Sequence, residues 1–218
     1  MTSYILETVS IPPLSKSKPR QAIILCHGYG GDGKDISMLA INWQRFLPEA
    51  IFLCPNAPET CSINPKGYQW FDLTTEKEEV ILEKSLKAEE KLNIFLNEII
   101  DNFQLEPSNL ALLGFSQGCM MILQTGLKSK KKINCLIGYS GKIINQKHLY
   151  KNINSKPKIL LMHGENDTIV SPTYLLESKE FLKSVGINPK VKMFKNCDHR
   201  IPVEGSSLGL SFLKKNLL

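Results

Sequence analysis

The chain has 218 residues, 42% hydrophobic and 22% charged, enough apolar mass for the core of one ordinary domain. Its 27 basic and 21 acidic side chains leave a formal charge of +6, scattered except for a cluster at Lys128, Lys130, Lys131 and Lys132. A solvated helix end, where cations are favoured, accounts for that cluster, so nucleic acid is not an expected partner and a membrane surface would be held weakly at most.

Residues 4–11 alternate well enough for an edge strand, and residues 12–20, opening with Pro12 and Pro13, read as a turn. Gln21–Cys26 is a continuous apolar run of the kind a buried strand shows. It leads into His27-Gly28-Tyr29-Gly30-Gly31-Asp32-Gly33, a loop too rich in glycine to be helical. Residues 35–46 form a predicted helix closed by Pro48, and residues 50–54 a second buried strand followed by Pro55-Asn56-Ala57-Pro58. Residues 55–75 lack a clear period, carry Trp70 and Phe71, and form a long connection of the sort that often has a function.

Glu78–Phe103 has the longest helical pattern, with Ile81, Leu82, Leu86, Leu92, Phe95, Leu96 and Ile99 as its core-facing stripe. A strand at 109–113 and a helix at 117–127 follow. Strands at 135–138, 158–162 and 191–194 then alternate with helices at 172–185 and Val203–Leu217. Such alternation predicts an α/β fold with a mostly parallel central sheet and helices on both faces. No repeat or linker divides the chain, so a single domain over residues 1–218 is expected.

The six cysteines, Cys26, Cys54, Cys61, Cys119, Cys135 and Cys197, show no paired spacing and several sit in apolar runs, as reduced thiols do. The first residues lack a charged start followed by an apolar stretch, and no segment reaches the about 18 apolar residues of a membrane span. A cytoplasmic protein is the expectation.

A parallel sheet binds ligands beyond the C-terminal ends of its strands. Four predicted strand ends carry reactive or glycine-rich groups: the His27-Gly28 loop, Ser116, His163-Gly164-Glu165-Asn166-Asp167, and Cys197-Asp198-His199. Gly114-Phe115-Ser116-Gln117-Gly118 places a Gly-x-Ser-x-Gly between strand and helix, the pattern of a nucleophile elbow. Serine needs a base within hydrogen-bond reach, and the base needs a carboxylate to fix its tautomer.

In an elbow of this kind the partners follow in the order acid, then histidine, which Ser116, Asp167 and His199 satisfy. Of the other histidines, His148 lies in a polar stretch and reads as a surface residue. His27 and His163, each followed by glycine at a strand end, suit loop buttressing. Asp198 is adjacent to its histidine, so the two side chains would diverge; Glu165 is the weaker alternative to Asp167.

The backbone N–H groups of Gln117 and Tyr29 are the candidate oxyanion donors. Trp70, Phe71 and Met120 are candidate acyl contacts, a role that plain core packing would also explain. Two rival chemistries have less support. Cys26, His27, Cys197, Asp198 and His199 lack the Cys-x-x-Cys or His-x-x-x-His spacing of a zinc site. In the Gly28-Tyr29-Gly30-Gly31-Asp32-Gly33 loop the third glycine comes too early for a dinucleotide fingerprint. Neither a metal nor a cofactor is expected.

Several blocks occur in one order: Cys26-His27-Gly28-Tyr29-Gly30-Gly31-Asp32-Gly33, Pro55-Asn56-Ala57-Pro58, Trp70-Phe71-Asp72, the Ser116 elbow, His163-Gly164-x-x-Asp167, and His199-x-Ile201-Pro202-x-Glu204-Gly205. On these blocks the chain resembles the phospholipase/carboxylesterase family, which includes the acyl-protein thioesterases, over nearly its whole length. The resemblance implies an α/β-hydrolase fold and cofactor-free hydrolysis of small acyl esters or thioesters, lysophospholipids or acylated proteins. It implies Ser116, Asp167 and His199 as the triad, Tyr29 and Gln117 as oxyanion donors, and the loop around Trp70 as acyl-channel lining.

Tyr29 stands where the family carries a smaller aliphatic residue, Cys197-Asp198 where small residues are common, and residues 58–68 match nothing diagnostic. A peptidase or an acyltransferase on the same fold, and a catalytically silent binding protein, are the alternatives; a homodimer is left open.

Overall fold

The apolar runs of the sequence lie side by side. In the computed structural model, which describes residues 4–74 and 77–218, the strands in chain order are β1 (Thr8–Ile11), β2 (Gln21–Cys26), β3 (Ala50–Pro55), the short β4 (Glu59–Thr60) and β5 (Tyr68–Gln69), β6 (Leu110–Phe115), β7 (Cys135–Tyr139), β8 (Lys158–Gly164) and β9 (Lys190–Phe194). Seven of them form one sheet in the order β1-β3-β2-β6-β7-β8-β9, parallel throughout except where β1 runs antiparallel to β3. β4 and β5 pair with each other as an antiparallel ribbon inside the connection predicted at 55–75, whose last residue, Thr75, lies outside the described residues.

Side-chain alternation along the inner strands explains the two cores. Ala22, Ile24 and Cys26 of β2 face one side with Leu110 and Leu112 of β6; Ile23 and Leu25 face the other with Ala111 and Leu113. The first side is covered by helices that include α2 (Glu78–Phe103) and α3 (Gln117–Lys128), the second by α1 (Gly33–Trp43) and α6 (Val203–Leu217). Buried on both faces, β2, β3, β6 and β7 have no exposed position, which is why they read as unbroken apolar runs. The edge strand β1 pairs only over four residues of the predicted 4–11, and Pro12 ends it because proline has no N–H to give the ladder.

Three expectations are corrected. The glycine loop ends one residue early: the Asp32 carboxylate accepts the Asp35 N–H at 2.7 Å, and this cap starts α1 at Gly33. A helix absent from the sequence reading, α4 (Gln146–Asn152), follows β7, capped by Asn145 accepting the His148 N–H at 2.7 Å. His148 is therefore half-buried, with Nε2 shielded from solvent and without a hydrogen-bond partner, not a surface residue. The lysine cluster is also only partly solvated, since Lys128 pairs with the buried Glu89 of α2 at 2.7 Å.

α5 (Thr173–Ser184) joins β8 to β9. With β2, β6, β7, β8 and β9 parallel, the residues that follow each of them lie along one rim of the sheet.

Candidate active site

Between the end of β6 and the start of α3 the chain reverses over a single residue. Ser116 has φ 52° and ψ −116°, a conformation that costs a non-glycine residue energy and is kept where surrounding structure enforces it. Its N–H donates to the Tyr139 carbonyl of β7 at 2.8 Å, tying the turn to the neighbouring strand. The two elbow glycines permit the close approach. A Cβ on Gly114 would lie 2.3 Å from the Gly118 carbonyl carbon, and one on Gly118 would lie 2.1 Å from the Cys26 carbonyl oxygen.

Three residues far apart in sequence meet above this turn. His199 Nε2 is 3.0 Å from Ser116 Oγ, and His199 Nδ1 is 2.7 Å from Asp167 Oδ2. Because the carboxylate can only accept, the imidazole proton sits on Nδ1, and the Nε2 lone pair faces the serine hydroxyl. The Phe115 ring packs on the imidazole with centroids 4.8 Å apart.

Asp167 is held on all sides. Its Oδ1 accepts the N–H groups of Ile169 at 3.0 Å and Val170 at 2.9 Å. Burial alone would raise its pKa, but the Val170 N–H, His199 and the Ile169 N–H outweigh it and hold the carboxyl below its ordinary value. His163 Nε2 lies 2.9 Å from the Val170 carbonyl and 3.1 Å from Asp167 Oδ2. Both neighbours are acceptors, so Nε2 carries the proton, and burial lowers the His163 pKa, favouring the neutral ring. His163 thus buttresses the loop through a hydrogen bond to the Val170 carbonyl, with Asp167 Oδ2 as a second, electrostatic neighbour.

The other two acids do not reach His199 in this way. The exposed Asp198 carboxylate pairs with Arg200 Nε at 2.7 Å, and Glu165 is exposed.

Ser116 opens onto a cleft of about 790 Å³ walled by Tyr29, Phe71, Met120, Ile143, Ile144 and Val170. Of the three candidate acyl contacts, Met120 and Phe71 are among the lining residues, and Phe71, like Trp70, has no solvent exposure. Trp70 is not among the lining residues, and its indole N–H donates to the His27 carbonyl at 3.0 Å. Ile143 and Ile144, which follow β7, were missed because nothing reactive marks that strand end. The parallel topology, which brings every such end to one rim, was the signal available. Tyr29 and Gln117, which supply the candidate oxyanion donors, flank Ser116, and an added Cβ on Gly28 would lie 3.2 Å from Ser116 Cβ. The Tyr29 hydroxyl is fixed by Ser62 Oγ at 2.8 Å.

Comparison with known proteins gives a consistent picture. The family described as Phospholipase/Carboxylesterase matches residues 12–217. Acyl-protein thioesterase 1 of Aspergillus fumigatus is 30% identical over 226 residues, covering 94% of this chain and 90% of that protein. Acyl-protein thioesterase 1 homolog 2 of Dictyostelium discoideum is 32% identical, covering 85% and 87%. Among solved structures, the crystal structure of esterase PE8 superposes with a TM-score of 0.93 at 33% identity, covering 97% of this chain and 99% of that one.

Proposed function

We propose, from the premise that the chain belongs to the phospholipase/carboxylesterase family and is a carboxylic ester or thioester hydrolase, that Ser116, His199 and Asp167 carry out the hydrolysis through an acyl-enzyme. The observation behind this reading is the unbroken chain of hydrogen bonds from Ser116 Oγ through His199 to Asp167. His199 Nε2 takes the hydroxyl proton as Oγ bonds to the acyl carbon. The carbonyl oxygen becomes an oxyanion between the Tyr29 and Gln117 N–H groups.

Collapse of this intermediate breaks the C–O or C–S bond, and His199 returns the proton to the departing alcohol or thiol. A water that gives its proton to His199 then attacks the acyl carbon. The second collapse releases the carboxylic acid and restores the proton to Ser116. Water is the only co-reactant.

The acyl chain lies in the cleft against Met120, Ile143 and Ile144. Relatives named acyl-protein thioesterases support an acylated protein or a smaller thioester as the substrate. The same reading takes residues 1–218 as one α/β-hydrolase domain. The six buried, unpaired cysteines support a reducing, cytoplasmic setting, and among the described residues no helix is long and apolar enough to cross a membrane.

An acyl-enzyme predicts a burst. Rapid mixing of the chain with a p-nitrophenyl ester whose deacylation is slow should release about one equivalent of nitrophenol before the steady state. A linear progress curve from the first turnover, with no acylated Ser116 peptide in acid-quenched enzyme, contradicts the covalent route.

Tyr29 sets a second expectation. Only its backbone serves the oxyanion, while its pinned ring takes up space in the cleft. Tyr29→Leu should raise kcat/KM for a twelve-carbon ester relative to a four-carbon ester by about tenfold, the scale of a modest change in apolar pocket contact. An unchanged ratio assigns chain-length selection to other walls.

A further inference from the structure

A strap, residues 68–71, runs behind the cleft and is tied on both sides. On one side it meets the loop that carries Tyr29. The Gly30 N–H donates to the Tyr68 carbonyl at 2.9 Å, the Tyr68 N–H donates to the Gly31 carbonyl at 2.8 Å, and the Trp70 indole N–H donates to the His27 carbonyl at 3.0 Å. On the other side it meets the elbow. The Gln117 side chain accepts the Trp70 N–H at 2.9 Å and donates through Nε2 to the Phe71 carbonyl at 2.6 Å. Trp70, Phe71 and the Gln117 residue have no solvent exposure, so bulk water does not compete with these bonds.

His27 completes the arrangement. Its Nε2 accepts the Ala57 N–H at 2.9 Å, which puts the ring proton on Nδ1, and Nδ1 lies 2.7 Å from the Gly28 carbonyl. The Gly31 N–H donates to the same carbonyl at 3.1 Å. The Gly28 carbonyl and the Tyr29 N–H belong to one planar trans peptide and point in opposite directions. Two donors on the carbonyl therefore aim the N–H.

We infer that the Gln117 amide and the Trp70 indole form a brace that sets the spacing and aim of the two oxyanion donors, the backbone N–H groups of Tyr29 and Gln117. Both side chains are positioning residues, and neither touches the substrate. Gln117 serves twice, as a backbone donor to the oxyanion and as a side-chain tie to the strap. The inference rests on the acyl-enzyme reading and adds to it the element that keeps two donors, one from a loop and one from the start of α3, in register before charge develops.

The test uses Gln117→Met, which keeps the backbone N–H and removes both amide bonds, and Trp70→Phe, which removes only the indole donor and some ring area. Each full-length variant is compared with wild type for kcat/KM on a four-carbon ester. Each is also tested for inhibition by an alkyl trifluoromethyl ketone, which forms a tetrahedral adduct with an oxyanion, and by the matching methyl ketone, which binds without one.

A brace predicts a loss of kcat/KM of about 10–100-fold, less than deleting a donor outright. It also predicts an equal loss of trifluoromethyl ketone affinity and methyl ketone affinity unchanged within about twofold. The double variant should lose little more than the worse single one, because both changes cut one series of contacts.

Equal weakening of both ketones, additive losses, or unchanged trifluoromethyl ketone affinity in a folded variant overturns the brace. If one variant does not fold, the other decides by the same ketone comparison. A wild type that binds the trifluoromethyl ketone no better than the methyl ketone overturns the acyl-enzyme reading beneath it.

Discussion

Ser116→Ala is expected to lower kcat by about a millionfold, the full cost of removing the nucleophile from a working triad. The loss should be chemical and not structural. Alanine keeps the Cβ, so it is no harder to hold at φ 52° than serine, and the turn remains tied by the residue 116 N–H to the Tyr139 carbonyl. The Ser116 hydroxyl has one hydrogen bond, to His199, a ring that is itself partly exposed and can take water in exchange. The stability change is then about 1 kcal/mol at most, roughly 2–4 °C in Tm for a chain of this size. Residual hydrolysis above the water rate, from the oxyanion donors and binding alone, is expected. Retention of one per cent of wild-type kcat by a preparation free of wild-type protein contradicts the assignment.

Asp167→Asn should cost about ten-thousandfold in kcat with little change in fold, because it reverses a tautomer. The Ile169 and Val170 N–H groups require an acceptor at Oδ1. The asparagine oxygen satisfies them, which turns its NH₂ toward His199 Nδ1. That nitrogen must then accept, the imidazole proton moves to Nε2, and the lone pair that should take the Ser116 proton is lost. His163 keeps the Val170 carbonyl as its acceptor, and the NH₂ now facing its Nε2–H adds a donor–donor contact that lowers stability modestly. Steady-state rates report the loss, and the imidazole nitrogen shifts of His199 report the exchanged tautomer.

The same carboxylate links stability to pH. Its pKa is lower in the folded chain than in the unfolded one, so it stabilises the fold fully above the ordinary carboxylate value. That contribution is lost as pH falls through the ordinary value toward the depressed one. Asp167→Asn should therefore flatten the acid limb of the stability curve below about pH 4. A steeper acid limb in the variant contradicts the electrostatics given for this site.

Much of this was legible in the chain. β2, α2 and α6 have the limits read from sequence, since an unbroken apolar run, a long 3.6-residue stripe and a proline before the first turn each mark a boundary by local physics. Elbow spacing, chain order and strand-end position converge on Ser116, Asp167 and His199 as candidates, and hydrogen bonds join the three side chains. The phospholipase/carboxylesterase resemblance stated on the motif blocks agrees with the family match over residues 12–217.

What escaped was decided by contacts between distant segments. α4 buries only Leu149, too little to impose a period. The ribbon of β4 and β5 has two residues per strand, and its pairing with the glycine loop leaves no local trace. Trp70 looked like a cleft residue because an aromatic beside a functional loop is ambiguous in sequence. Its indole bond to His27, 43 positions away, is what sends it into the core. Lys128 read as a solvated charge because its partner, Glu89, lies 39 positions back on another helix.

Intact-mass analysis after exposure to a fluorophosphonate, on wild type and on Ser116→Ala, tests the central claim most directly. An activated Ser116 predicts one adduct on the wild-type chain, mapped to the peptide containing Ser116, and none on the variant. A folded wild type that takes no adduct, or a variant that takes the same adduct, contradicts Ser116 as the nucleophile.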